Sequence, residues 1–264
     1  YSAGVLSEHN HTREKASLFD VSHMGQAAIR GTDPVAALEA IVPGDLAALS
    51  DGQMRYTMFT NNKGGILDDL MVTRRGDHLF LVVNAACKNQ DYAHMQASLS
   101  DGNKLEIMED LALLALQGPE AANVLGRLAP ATRLMSFMTS EPITIGDIRC
   151  IISRSGYSGE DGYEISLPAD EADRLARLLL DEPEVMPAGL GSRDSLRLEA
   201  GLCLYGSDID ETTTPIEAGL IWTISKRRRA EGGFPGASII QGQIKNGASR
   251  KRVGIKPDGK VPAR

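Results

Sequence analysis

Between Gln53 and Asn84 the runs QMRYTMFT, GGILDDLMVT and HLFLVVN follow one another at hairpin distance, separated by the turn strings NNKGG and RRGD. A parallel return between neighbouring strands needs a dozen or more residues, usually a helix, and these turns leave no room for one. The middle of the chain must therefore fold as an antiparallel meander. That constraint disfavours a doubly wound parallel sheet for the whole molecule.

Around the meander, helix and strand patterns mix. Residues 8–17 read as a polar helix and SHMGQAAIRG as a strand closed by Gly31, after which Asp33 and Pro34 form an N-cap and first turn for a helix over VAALEAIV. A helix over KNQDYAHMQASL follows, then strands in KLEIMED and LALLALQ and a helix over PEAANVLGRL. A second strand pair is expected between Pro142 and Leu167 around the turn SGYSGEDG, with helices over DEADRLARLLL and SRDSLRLEAGLCLYG. Beyond Lys226, KRRRAEGGFPG reads as a loop and RKRVGIKPDGK as a strand with a turn. The expected class is α+β, with mixed antiparallel sheets and helices. Residues 1–249 are expected to form one region of two interleaved subdomains, and 250–264 to begin a further domain, because a lone hairpin cannot bury its apolar face.

Composition narrows the function. The 264 residues suffice for a sizeable core, and 42% hydrophobic with 24% charged residues is ordinary globular usage. A net charge of -7 argues against a general nucleic-acid binder, which needs a basic surface. Cys87, Cys150 and Cys203 are too far apart for a CxxC site and odd in number, which fits a reducing compartment. No apolar run reaches the roughly 18 residues of a membrane span, and no signal peptide is visible. Phosphate-loop, dinucleotide, zinc-protease and GxSxG strings are missing, and His9, His11, His23, His78 and His94 do not cluster, so no metal is expected.

The strings LFDVSHMGQ (18–26), GGILDDLMVT (64–73), ALQGPEAA (115–122), SGYSGEDGYEISLP (155–168) and RDSLRLEAGLCLYGSDIDETTTPIEAGLIWTISKRRR (193–229) occur in that order. Together they resemble the T-proteins of the glycine cleavage system. Folate domains of dimethylglycine and sarcosine oxidising enzymes share this fold, as does an iron–sulfur maturation factor. The factor's KGCYxGQE-type string is replaced here by TTPIEAGLIWT. The resemblance implies a folate-binding aminomethyltransferase fold followed by the start of a C-terminal β-barrel domain. It also implies transfer of the one-carbon unit from an aminomethyl group on the lipoyl arm of an H-protein to tetrahydrofolate. The products would be 5,10-methylene-tetrahydrofolate, ammonia and the dihydrolipoyl H-protein. The compartment would be the bacterial cytoplasm, which is favoured, or the mitochondrial matrix.

The period of a strand sends Asp68 and Asp69 to opposite faces, so only one of them can serve a given pocket, and the residues alone do not say which. Both could equally be solubilising strand-end charges. The resemblance assigns the catalytic carboxylate to Asp69, and folate contacts to Asn84, Glu164, Arg193, Tyr157, Trp222 and Met54. Asn84 could otherwise be a turn former, Glu164 a solvent-facing strand charge, Arg193 part of a salt-bridged helix with Arg197, and Trp222 core. The run Lys226, Arg227, Arg228 and Arg229 is the longest cationic cluster. Its three arginines are expected either to be solvated or to steer the H-protein toward the cavity mouth. A folate-binding module without transfer chemistry is the alternative function, and Asp69 separates the two, since binding alone does not require that carboxylate.

Overall fold

The computed structural model describes residues 1–259. Its strands are β1 (Ala16–Asp20), β2 (Gly25–Gly31), β3 (Met54–Thr60), β4 (Ile66–Arg75), β5 (His78–Val83), β6 (Asn103–Ile107), β7 (Leu111–Gln117), β8 (Ser140–Ile145), β9 (Ile148–Ser153), β10 (Gly162–Pro168) and β11 (Val185–Pro187). Helices are α1 (Val5–Glu14), α2 (Pro34–Glu39), α3 (Lys88–Ser98), α4 (Ala121–Leu128), α5 (Ala172–Leu180), α6 (Leu190–Glu199), α7 (Lys226–Glu231) and α8 (Ala237–Asn246).

The strands form two sheets. One is ordered β3-β4-β5-β2-β6, the other β11-β1-β7-β10-β9-β8. The first is drawn wholly from chain inserted between β1 and β7, so the two sheets interleave in sequence. All pairings within strands are antiparallel except β1 with β11, which returns through the long intervening chain and could not be read as a local hairpin. The meander is present as expected, and Asp33 caps α2 by accepting from the Ala36 amide at 2.9 Å.

Helices cover one face of each sheet. Leu38 of α2 and Tyr92 and Met95 of α3 close a core over Ile29, Leu70, Val72 and Leu81, while Val124 of α4 and Leu175 and Leu179 of α5 close one over Leu114, Ile152 and Ile165. The uncovered faces turn toward each other. There Val82 packs against the cluster of Phe19, Leu113 and Ala115, and the Gln26 side chain donates to the Ala112 carbonyl and accepts from Ser166 Oγ. Helix, sheet, sheet and helix layers result, with a cleft between the sheets.

The end of the chain departs from expectation. Residues 226–231 are a helix and not a loop, because Ser225 caps it by accepting from the Arg228 amide. Helix α8 was not foreseen either. Residues 251–259 carry no strand, and the remainder of the expected hairpin, 260–264, lies outside the described residues. No helix among the described residues is long and apolar enough to cross a membrane.

Candidate active site

The cleft face of the meander is fixed by register. Met54 pairs with Thr73, Tyr56 with Met71 and Met58 with Asp69, while Thr73 and Met71 pair in turn with Phe80 and Val82 of β5. One step beyond the paired residues, Asn84 falls beside Asp69. A register shift between Phe59 and Thr60 leaves Leu67 without a partner, a β-bulge just before the two aspartates. The turn leading into β4 is pressed against the chain at Glu211, where a Cβ on Gly65 would lie 1.8 Å from the Glu211 carbonyl oxygen.

Asp69 therefore shares its face with Met58, which packs with Cys203, Ile209 and Leu220, whereas Asp68 lies opposite Phe59 in the core beneath α3. Asn84 bridges the two. Its Nδ2 donates to Asp68 Oδ1 at 2.9 Å and to Asp69 Oδ1 at 3.0 Å. Burial and then the Asp68 charge push the Asp69 carboxyl up to about 7, while the Tyr56 hydroxyl and Asn84 amide act in the opposite sense. Tyr56 also stacks on Trp222, with ring centroids 5.7 Å apart. Trp222 is 63% exposed, which rules out the core alternative for it.

Across the cleft, β10 presents Glu164 and Ser166, which line it together with Ser153 of β9 and with Met54, Thr73 and Val82 of the meander, among others. Glu164 Oε2 accepts from Ser155 Oγ at 3.1 Å, and its other oxygen lies 3.9 Å from Arg193. The Arg193 guanidinium sits 5.0 Å over the Tyr157 ring and makes no hydrogen bond among the described residues. Tyr157 joins the two halves. Its hydroxyl donates to the Cys203 carbonyl, and burial raises its pKa, with Arg197 and Arg193 opposing and Asp69 adding to the rise. Gly156 and Gly162 of the SGYSGEDG turn are dictated by the buried Gln117 side chain, since a Cβ on Gly156 would stand 1.8 Å from its Oε1 and one on Gly162 2.5 Å from its Nε2.

Arg197 does not share the role of Arg193. It is buried and tied to Asp194 at 2.8 Å, to Asp208 and to the Leu202 carbonyl, and so shapes the loop after α6. The expected cationic patch is not free either. Arg227 pairs with Asp45 at 2.5 Å, Glu39 at 2.6 Å and Glu231 at 3.0 Å. Arg228 is 5% exposed, donates to the Glu39 and Val42 carbonyls and lies over the Phe234 ring. Arg229 donates to the Ile221 and Ile224 carbonyls, tying down the turn that carries Trp222. In an acidic chain these guanidiniums find internal acceptors, and only Lys226 of the run is exposed.

Sequence reasoning missed Tyr56, Ser155 and Asp91. Tyr56 lies two residues from Met58 on the Asp69 face, which only the register reveals. A wider surface groove bordered by Thr32, Arg74, Asp77 and His78 holds none of the expected residues. Among the described residues no group of three or more His, Cys, Asp or Glu side chains is placed to hold a metal ion.

Residues 1–228 match the GCVT N-terminal domain family. The chain is 50% identical to the mitochondrial aminomethyltransferase of Dictyostelium discoideum over 100% of its own length and 70% of the relative's. It is likewise 50% identical to that of Homo sapiens, over 98% and 66%. It thus spans about two thirds of the length of these relatives. The solved glycine cleavage system aminomethyltransferase T from Bartonella henselae superposes with a TM-score of 0.93 at 43% identity, covering 100% of this chain and 73% of that one. With the family match, the relatives and the fold in agreement, the chain belongs to the aminomethyltransferase family, the T-proteins of glycine cleavage.

Proposed function

We propose that this chain binds tetrahydrofolate in the cleft and accepts onto it the one-carbon unit of an aminomethyl group carried on the lipoyl arm of an H-protein. One observation carries the reading. Polar groups left with spare bonding capacity converge on Tyr157 from both sheets and α6: the Asn84 oxygen and Asp69 from the meander, Glu164 from β10 and Arg193 from α6, with Asp69 and Arg193 both acting on the Tyr157 hydroxyl. Glu164 suits an amino-pyrimidinone edge, whose N–H groups a carboxylate accepts, and Arg193 suits the anionic glutamyl tail. Tyr56 with Trp222, and Tyr157, supply flat walls. Met54 closes the cleft floor between Thr73 and Ser153.

The chemistry needs charge control more than a strong base. Folate N5 has a free lone pair and bonds to the aminomethyl carbon as ammonia leaves; the lipoyl sulfur then departs as a thiol and N10 bonds to the same carbon, the two N–H protons of the folate going to the amine and the sulfur. Positive charge develops on the iminium-like carbon between these events. A carboxyl with a pKa of about 7 ionises readily beside that charge and stabilises it, or carries a proton toward the leaving amine. In this reading residues 1–249 form the folate-binding unit, and the compartment is one that houses lipoyl proteins, the bacterial cytoplasm or the mitochondrial matrix.

Calorimetric titration with tetrahydrofolate, followed by assay of ammonia and methylene-tetrahydrofolate from aminomethylated H-protein, tests the proposal. Binding with turnover is expected. Folate binding without any turnover, in a chain extended to the length of its relatives, would leave only a binding module.

A further inference from the structure

Asp68 lies opposite Phe59, in the core under α3, where its carboxyl is within hydrogen-bonding reach of Asp91 of the first helical turn. Both side chains are sealed, at 0% and 2% exposure. Asp68 Oδ1 is taken by the Asn84 amide, but Asp68 Oδ2 and Asp91 Oδ2 are fully buried and find no donor among the described residues. The groups that act on Asp91 are Asp68 and Asp69, themselves acidic, and Asp91 in turn acts on Cys87 and Tyr92. No cation is among the groups acting on either carboxyl, and Tyr205, which faces Asp68 from the loop after α6, stays neutral. Lys88 reaches out to the His23 carbonyl, and burial keeps His94 neutral where it packs edge-on against Phe59.

An ionised pair would place two like charges side by side in the core with two oxygens lacking donors, and each such deficit is expensive. One proton removes both deficits, because it converts the facing oxygens into a donor and an acceptor. We infer that Asp68 and Asp91 share a single proton, and that Asp91 is thereby a positioning residue for the cleft. With the proton held toward Asp91, Asp68 stays an acceptor at Oδ1. Since Asp68 Oδ1 and Asp69 Oδ1 both accept, the Asn84 side chain must turn its nitrogen inward and its oxygen toward the ligand. Burial, reinforced by Asp68, pushes Asp91 up to about 9, in keeping with a pair that retains one proton across neutral pH. Only the step from Asn84 to ligand rests on the folate reading.

The proton is measurable without ligand. The folded chain keeps it up to about pH 9 while the unfolded chain loses it near pH 4, so the unfolding constant rises tenfold per pH unit across that window. Urea unfolding between about pH 7.5 and 8.5, above the Asp69 titration, isolates the pair when the variants are read against the parent, since the three thiols, raised chiefly by burial, contribute much the same slope to each. Asp91→Asn keeps a donor for Asp68 but carries no titrating proton, so this tenfold dependence should vanish, and Asp68→Asn should reduce it, since burial of Asp91 remains while the neighbouring charge is gone. Asp91→Ala leaves Asp68 Oδ2 without a donor. Tetrahydrofolate affinity should fall tenfold or more in Asp91→Ala and return toward the parent value in Asp91→Asn, about one lost hydrogen bond to a charged group. A parent chain and Asp91→Asn with the same pH slope would overturn the shared proton, whatever the ligand is. A lost slope with unchanged folate affinity in Asp91→Ala would overturn the positioning role. Failure of the folate reading itself would show separately, as a parent chain that does not bind tetrahydrofolate.

Discussion

Asp69→Asn should make the protein more stable and less active at the same time. The substitution preserves shape and leaves an oxygen to accept from Asn84, now at 3.0 Å, while removing the charge. In the fold the Asp69 carboxyl titrates at about 7 against an ordinary 3.8, so the folded chain binds a proton that the unfolded chain has released. Stability therefore falls as pH rises from about 4 to about 7. At roughly 1.4 kcal/mol per pH unit the loss at pH 8 is at most about 4 kcal/mol, less whatever solvent in the cleft screens. The Asp69→Asn variant escapes this penalty. It should match the parent near pH 4 and exceed it at pH 8, while its turnover number drops by about 100- to 1,000-fold through loss of preorganised charge. Urea unfolding at the two pH values, paired with steady-state formation of methylene-tetrahydrofolate, reads both effects. A variant less stable than the parent at pH 8, or one whose gain is the same at both pH values, would refute the reasoning.

Turnover by the parent should climb with pH through about 7, as Asp69 ionises, and a pH–rate profile that is flat there would deny it the charged role. Glu164→Gln and Arg193→Ala should each weaken tetrahydrofolate binding by roughly 10- to 100-fold in calorimetry, with little change in folding, because each removes a charged partner from a polar ligand group. Arg228→Ala should cost about 3 kcal/mol in urea unfolding, since it strips donors from the Glu39 and Val42 carbonyls in a buried site, whereas exposed Lys226→Ser should stay within about 0.5 kcal/mol. Gly156→Ala should destabilise by about 2 kcal/mol or more, because its methyl group would collide with the Gln117 amide.

The helix-capping signal at Asp33 and Pro34, the meander from Gln53 to Asn84 and the opposite faces of Asp68 and Asp69 were all legible from the order of residues. Each depends on interactions between neighbours in the chain: fixed proline geometry, turn chemistry, and the two-residue period of a strand. The ordered strings likewise carried the family without any structure. The short helix after Ser225 was missed although its cap is local, because three consecutive arginines read as solvated charge until their acceptors are known.

Tertiary structure decided what those arginines do, since Glu39, Asp45 and the Val42 carbonyl reach them only when distant segments pack together. It also paired β1 with β11, separated by most of the chain, and turned the bare faces of the two sheets toward one another. The most consequential decision concerns Asp91, which in sequence is one polar residue of an ordinary polar helix. Packing α3 onto the meander drives it against Asp68 where no cation can follow, and a carboxyl's proton affinity is set by solvent exclusion and by charges a few ångströms away. Such proximities arise from burial summed over the whole fold, and no local pattern encodes them.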